Sequence, residues 1–181
     1  MGREAWRSAA GRRNERARLN AMEIRAASAG DSEWIWKILE PVIRGGDTYT
    51  LPENMSREDA LAYWNSPGHE VFVAEENKEI LGTYYLRANQ KGGGAHVANC
   101  GYMTAVWASG RGVARTMCQH SLQHAKERGF LAMQFNFVVS SNERAVQLWQ
   151  SMGFEVVGRL PEAFKHTKLG LVDALVMYRH L

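Results

Sequence analysis

The chain has 181 residues, of which 45% are hydrophobic and 23% charged, with a formal net charge of +3. This length suits one domain with a sizeable core. No stretch of 18 apolar residues and no secretory signal is present, so we expect a soluble, cytoplasmic protein. The two cysteines, Cys100 and Cys118, form no Cys-x-x-Cys motif and predict no disulfide framework, which favours a reducing compartment.

The positive charge is concentrated at the start of the chain. The first 20 residues carry a net +4 and the remainder −1, so the body gives no reason to expect nucleic-acid binding. An arginine-rich start is typical of transit peptides, but its glutamates and scarce hydrophobic residues argue against one. We interpret residues 1–21 as a basic N-terminal extension and residues 22–181 as the folded domain.

The chain then predicts a short strand and a first helix. Residues 22–26 alternate as in a strand, and Asp31 or Ser32 can cap a helix that Gly45 and Gly46 end.

A loop at residues 47–55 follows, before a second helix at residues 56–64 that opens with a capping-box-like sequence. Aromatic residues on such a loop often line a binding site. Packing against the first helix is the structural alternative for Tyr49.

The middle of the chain predicts three strands. Residues 71–74 and 80–86 are joined by a polar connection short enough for a β-hairpin, and residues 95–106 form a long strand. Helical spacing of apolar residues resumes at residue 113, and residues 131–139 predict a buried strand.

The last part predicts a helix capped at residues 140–142, then strands at 154–160 and 172–178 with a polar segment between them. The total is about seven strands and four helices in mixed α/β order.

The sequence Ser-Gly-Arg-Gly-Val-Ala at residues 109–114 lies between the long strand and the third helix. The first N–H groups of a helix have no partner within it, so such a turn can hold a phosphate, and glycine at Gly110 and Gly112 lets the phosphate approach the backbone. An ordinary strand-to-helix connection is the structural alternative. The turn is not a Walker loop, since no Gly-Lys-Ser/Thr is present, and Thr116 stands where a dinucleotide fingerprint needs its third glycine.

Residues 22–181 resemble the GNAT acetyltransferase superfamily. Its acyl-CoA signature, Arg/Gln-x-x-Gly-x-Gly/Ala, matches residues 109–114 at every position but the first. Its second signature begins 28 residues after Ala114, with Trp149 in a tyrosine position. The residues that match it are Asn142, Ala145, Leu148, Gly153 and Phe154.

The resemblance implies a mixed sheet with splayed central strands and acetyl-CoA as co-substrate. Backbone groups of Met103 and Thr104 would pair with the pantetheine arm, as an added strand does. Asn142 would hydrogen-bond the arm or cap its own helix. The pyrophosphate would rest on the turn formed by Ser109, Gly110, Arg111, Gly112, Val113 and Ala114.

Two positions depart from the superfamily pattern. Ser109 replaces a residue that helps to fix the phosphates, so that contact is weaker or falls to Arg111 or Arg115. Trp149 replaces a tyrosine that protonates the leaving thiolate in many members, and an indole cannot act as an acid near neutral pH. Water or Tyr102 would supply the proton to the thiolate, or the thiolate would leave with little need for a proton.

The resemblance also implies direct attack of a neutral amine on the thioester, which requires removal of a proton from the ammonium form. No acidic residue lies between residues 90 and 112, where many relatives carry a glutamate base. The candidates are Glu53 or Asp47, or a water chain held by Asn99 and Asn136.

Three functions remain open. The first is acetylation of a small or amino-acid-like amine in a pocket shaped by Asp47, Tyr49 and residues 160–170. The second is acetylation of protein N-termini or lysines, and the third a non-catalytic acyl-CoA-binding module. Homodimerisation is also left open.

No metal site is expected. His120 and His124 have zinc-binding spacing, but no third ligand is evident, and we interpret them as a solvated helix face.

Overall fold

The computed structural model describes residues 22–181, so the basic extension predicted for residues 1–21 lies outside the described part. Within it, seven strands and four α-helices follow the predicted order. The strands are β1 Glu23–Ala26, β2 Glu70–Glu76, β3 Glu79–Ala88, β4 Val97–Thr104, β5 Ala132–Val139, β6 Glu155–His166 and β7 Gly170–His180. The helices are α1 Ser32–Gly45, α2 Arg57–Trp64, α3 Val113–Glu127 and α4 Glu143–Ser151.

All seven strands form one mixed sheet in the order β1-β2-β3-β4-β5-β7-β6. Only β4 and β5 are parallel, and they pair at two positions, Val97 with Ala132 and Ala98 with Met133. Beyond Ala98 the two strands separate, which confirms the expected splay in the middle of the sheet.

Neighbouring residues on β3 place helices on both faces of the sheet. The indole nitrogen of Trp64 on α2 donates to Thr83 Oγ1 at 3.0 Å, while the Tyr84 hydroxyl lies 2.6 Å from His120 Nδ1 on α3. Because successive strand residues point to opposite faces, α2 and α3 cover opposite sides of the sheet.

Local sequence explains where the helices begin and end. Ser56 caps α2 by accepting a hydrogen bond from the Asp59 N–H at 3.0 Å, as predicted. Gly46 ends α1 in the left-handed conformation, φ 60°. The helix α3 approaches β3 closely at Gly82, where a Cβ would lie 2.8 Å from Val113 and 2.9 Å from Met117.

The last hairpin differs from the prediction. A strand at 154–160 and a polar segment were expected, but β6 continues through Pro161 to His166. The strand is at the edge of the sheet and its register shifts between Leu160 and Phe164, so Pro161 is accommodated at a bulge on an outer edge.

The interpretation of His120 and His124 as a solvated face is also wrong. Their rings are half-buried and stack on each other at 6.0 Å, and both contact Phe72. His124 Nε2 lies 2.8 Å from a carboxylate oxygen of Glu70. This face is partly buried because it packs against Phe72 and Glu70 of β2 and Tyr84 of β3, which helical spacing alone does not reveal.

None of the helices within residues 22–181 has the length and apolar character needed to cross a membrane. Cys100 and Cys118 are both buried free thiols.

Candidate active site

Two cavities adjoin where β4 and β5 separate. We call one, of about 480 Å³, the glycine-turn cavity, because Ser109, Gly110 and Gly112 line it. The other, of about 330 Å³, we call the aromatic cavity, because Tyr63, Tyr85 and Phe135 line it. Six residues line both cavities: Thr48, Tyr49, Tyr102, Asn142, Ala145 and Trp149.

The turn before α3 has the geometry of an anion site. Gly110 and Gly112 have φ of 79° and 78°, where L-residues are strained, and a Cβ on either would enter open space. Within the described residues, no protein acceptor is bonded to the N–H groups of Val113, Ala114 or Arg115, which begin the helix. Three amides at the positive end of a 15-residue helix therefore lie at this turn.

The arginines near this turn have different roles. Arg111 forms an ion pair with Glu76 at the end of β2 and does not line the glycine-turn cavity. Arg115 lines it and donates to Ser151 Oγ at 3.0 Å. Arg144, to which the sequence did not point, lines it too, in the first turn of α4. Arg111 and Arg115 were suggested to replace the missing signature residue in contacting the phosphates. Of these two, only Arg115 lines the cavity and remains a candidate.

The open edge of β4 presents a different pair of residues from the one expected. The Ala105 N–H bonds to Leu81 O on β3, and alternate strand residues direct their main-chain groups to opposite edges, so Met103 faces β3. Tyr102 and Thr104 therefore face the gap. The expectation that main-chain groups of Met103 face the pantetheine arm is therefore wrong, and those of Tyr102 face the gap instead. Met103 still lines the glycine-turn cavity.

The hydroxyl of Tyr49 reaches this open edge and donates to the Tyr102 carbonyl oxygen at 2.9 Å. Burial holds the pKa of Tyr49 well above its usual value, so the hydroxyl stays a donor. The ring also packs edge-on against Trp64 of α2, with centroids 6.4 Å apart. The residue thus lines the site and packs against α2, the second helix, whereas the alternative raised by the sequence was packing against the first.

Asn142 caps α4, with Oδ1 accepting from the Ala145 N–H at 3.2 Å. It also lines both cavities. Its amide NH₂ has no partner among the described residues, so capping leaves a donor group for a ligand.

Trp149 is buried between aromatic rings, with centroids 5.0 Å from Tyr102 and 5.2 Å from Phe135. The Tyr102 hydroxyl points away from the cavities, to Ser121 Oγ on α3 at 2.7 Å. Burial raises the pKa of Tyr102 well above its usual value. Tyr102 is therefore a poor source for the proton that the family tyrosine gives to the thiolate.

Hydrogen bonds to the main chain and the side chain of Gln134 connect the two asparagines of the aromatic cavity. Asn99 Nδ2 donates to the Gln134 carbonyl at 2.9 Å, and Gln134 Nε2 donates to Asn136 Oδ1 at 2.8 Å. Asn136 Nδ2 in turn donates to Asn89 Oδ1 at 2.7 Å. The two asparagines suggested by the sequence thus line one cavity and are linked through Gln134.

The loop acids do not reach either cavity. Asp47 is exposed and accepts from the Thr48 hydroxyl, and Glu53 lies beside Gly46 at the end of α1. Neither carboxylate lines the cavities, so the structure brings together Asn99 and Asn136 but not Glu53. The predicted pocket segment 160–170 also lies outside the lining, because it is part of the β6–β7 hairpin.

The sequence pointed to neither Tyr63 nor Tyr85 nor Arg87, all of which line the aromatic cavity. Tyr85 and Arg87 alternate on β3, and that alternation is the signal that places them on one face. Which face carries the site depends on how α1 and α2 pack.

Among residues 22–181, the charged side chains lining the two cavities are all arginines. The aromatic cavity has Arg87, and the glycine-turn cavity has Arg115 and Arg144. The site therefore favours anionic ligands. Residues 22–181 contain no group of three or more His, Cys, Asp or Glu side chains arranged to hold a metal ion.

Residues 35–154 match the model of the acetyltransferase (GNAT) family. A GCN5-related N-acetyltransferase from Kribbella flavida is 39% identical, with a TM-score of 0.85 over 89% of this chain and 98% of that one. The N-acetyltransferase aca1 of Schizosaccharomyces pombe is 24% identical over 76% of this chain and 74% of its own length.

A GNAT superfamily phosphinothricin acetyltransferase from Sinorhizobium meliloti, solved in complex with acetyl-CoA, shares the fold. Its TM-score is 0.77 at 19% identity, covering 88% of both chains. The mixed sheet, the splayed strands and the glycine turn thus define an acyl-CoA-dependent N-acetyltransferase. The chain belongs to the GNAT family.

Proposed function

We propose that this protein transfers the acetyl group of acetyl-CoA to the primary amine of a small, amino-acid-like molecule, with both substrates bound together. The observation that carries the proposal is the meeting of the two cavities at the open edge of β4 beside Tyr102 and Trp149. A thioester entering from one cavity and an amine entering from the other would meet there.

Acetyl-CoA fits the glycine-turn cavity by charge and by backbone geometry. Its pyrophosphate would accept from the N–H groups of Val113 and Ala114, with Arg115 and Arg144 nearby. Its pantetheine amides would pair with Tyr102 and Thr104 on the open edge of β4. The Tyr102 carbonyl oxygen would then accept from both the Tyr49 hydroxyl and a pantetheine amide, or its hydrogen bond from Tyr49 would break.

In the reaction, the amine nitrogen forms a bond to the thioester carbonyl carbon, and the C–S bond breaks to release the CoA thiolate. Because no carboxylate of the described residues lines the aromatic cavity, water held by Asn99 and Asn136 would take the proton from the amine. Water would also protonate the thiolate, since Trp149 cannot. No tyrosine acid is required for a leaving group of this kind.

The size of the aromatic cavity favours a small acceptor over a protein. Its volume of about 330 Å³ is at the lower end of the range for small-molecule sites, and the loop carrying Thr48, Tyr49 and Thr50 forms part of its wall. A protein N-terminus or lysine, the second candidate, would need a groove open to a peptide.

The test is release of CoA thiol from acetyl-CoA in the presence of a panel of small amines and a matched panel of peptides. We expect turnover with small amines and mass-spectrometric detection of the N-acetylated product. Turnover with peptides alone would overturn the small-acceptor assignment. Tight CoA binding with no turnover of either panel would instead favour a non-catalytic module.

A further inference from the structure

Arg87 lies near the end of β3 in the aromatic cavity and has no acidic partner in the part of the chain that the structure describes. It is half-buried, and it is the one charged residue among those lining this cavity. Its Nε lies 3.4 Å from Asn99 Oδ1, a long hydrogen bond to a neutral group. None of the ion pairs within residues 22–181 includes it.

Three of the arginines that form no ion pair within residues 22–181, Arg87, Arg115 and Arg144, line the two cavities. Six other arginines form ion pairs within the described residues: Arg25, Arg44, Arg57, Arg111, Arg128 and Arg159. A guanidinium taken partly out of water costs free energy unless it is paired, and its planar fork suits two carboxylate oxygens. Arg87 has the charge and the partial burial of a binding group, but no carboxylate of residues 22–181 forms an ion pair with it.

The rest of the cavity wall near Arg87 supports an anion rather than a cation. The hydroxyls of Tyr63 and Tyr85 lie 3.5 Å apart, and when one donates to the other, the second keeps its hydrogen for a ligand oxygen. The ring of His69 stacks on Tyr85 with centroids 4.1 Å apart, which fixes the tyrosine in place. Asn99 and Asn136 are neutral, so no carboxylate among the described residues lining this cavity competes for the charge on Arg87.

We infer that Arg87 binds a carboxylate of the acceptor, so that the substrate is an amine that carries a carboxylate, such as a free amino acid. The inference rests on the proposed transfer to a small amine. The carboxylate would anchor one end of the acceptor on Arg87 while its amine reaches the open edge of β4. A neutral amine lacking the carboxylate would leave the guanidinium unpaired and would bind poorly.

The experiment compares kcat/KM for each amino acid that is acetylated with kcat/KM for its amide and for the amine formed by removing its carboxyl group. The variants are Arg87→Gln and Arg87→Lys, with Lys126→Gln on the exposed surface of α3 as the charge-matched control. CoA affinity and the melting temperature are measured for every variant, so that misfolding is detected.

We expect the wild-type enzyme to prefer the carboxylate-bearing acceptor, and Arg87→Gln to reduce kcat/KM for it by about 100-fold. Turnover of the amide and of the decarboxylated amine should fall far less. Arg87→Lys should lose an intermediate factor, because it keeps the charge without the fork, and Lys126→Gln should match the wild type.

If Arg87→Gln lowers kcat/KM equally for all three acceptors, or if the wild type has the same kcat/KM for each, the inference is wrong while the proposed function stands. If no small amine is acetylated by the wild type, the proposed function and this inference both fail. If Arg87→Gln also loses CoA binding, the Arg87→Lys variant decides. An unchanged preference for the carboxylate-bearing acceptor in Arg87→Lys, with normal CoA affinity, would mean that binding requires only a positive charge at this position. Absence of that preference in the wild type would refute the anchor.

Discussion

Two substitutions at Gly112 separate charge from backbone strain at the start of α3. Its φ of 78° is tolerated by asparagine and aspartate better than by other side chains. Asp adds a negative charge where we propose the pyrophosphate, and like charges about 4 Å apart repel by roughly 4 kcal/mol near a protein surface. We expect Gly112→Asp to weaken CoA binding at least about 100-fold more than Gly112→Asn, measured by titration calorimetry.

The neutral Gly112→Asn variant is the control for strain, and thermal melting checks that both variants fold. Equal CoA affinities for the two variants would contradict the placement of the phosphates.

At the scale of single residues, the glycines and Asn142 could be found from the sequence because their spacing is a local pattern. Arg87 and Arg144 could not, because nothing local distinguishes them from surface arginines.

The packing of α3 on the sheet makes stability depend on pH. Burial lowers the pKa of His120, and the neighbouring His124 lowers it further. Burial also lowers the pKa of His69. In the unfolded chain these rings protonate near pH 6.5, while the folded state resists protonation, so stability is full above that pH and is lost as the pH falls.

We therefore expect the free energy of unfolding to fall between about pH 7 and pH 5, and to fall less in His120→Gln, which keeps a hydrogen-bonding group near Tyr84 but does not titrate. Urea unfolding at a series of pH values measures the slope. The exposed His96→Gln is the matched control and should keep the wild-type slope. A His120→Gln slope equal to that of the wild type would refute the assignment to this ring.

The two halves of the sheet are joined weakly at the level of the whole molecule. In the described residues, the parallel ladder between β4 and β5, which joins β1–β4 to β5–β7, has only two residue pairs, and the proposed CoA site lies along the gap. We expect CoA to raise the melting temperature and to slow hydrogen exchange of the Tyr102 and Thr104 amides in particular, because pantetheine would bond to that edge.

The Gly112→Asp variant supplies the control, since it should show neither effect at the same CoA concentration. Stabilisation without protection of the β4 edge would mean that CoA binds elsewhere.

The sequence by itself determined the order of strands and helices, the glycine turn and the family signatures. Alternation of apolar and polar residues, helix caps and turn residues act over a few positions, so they can be recognised from the sequence without knowledge of the fold. Tertiary structure alone decided that His120 packs on the sheet, that Glu53 stays outside the site, and that β6 runs past Pro161. It also decided that Arg87 shares a cavity with Asn99. These facts depend on which face each element buries and on contacts between residues far apart in the chain, and both are fixed only when the sheet and its helices pack together.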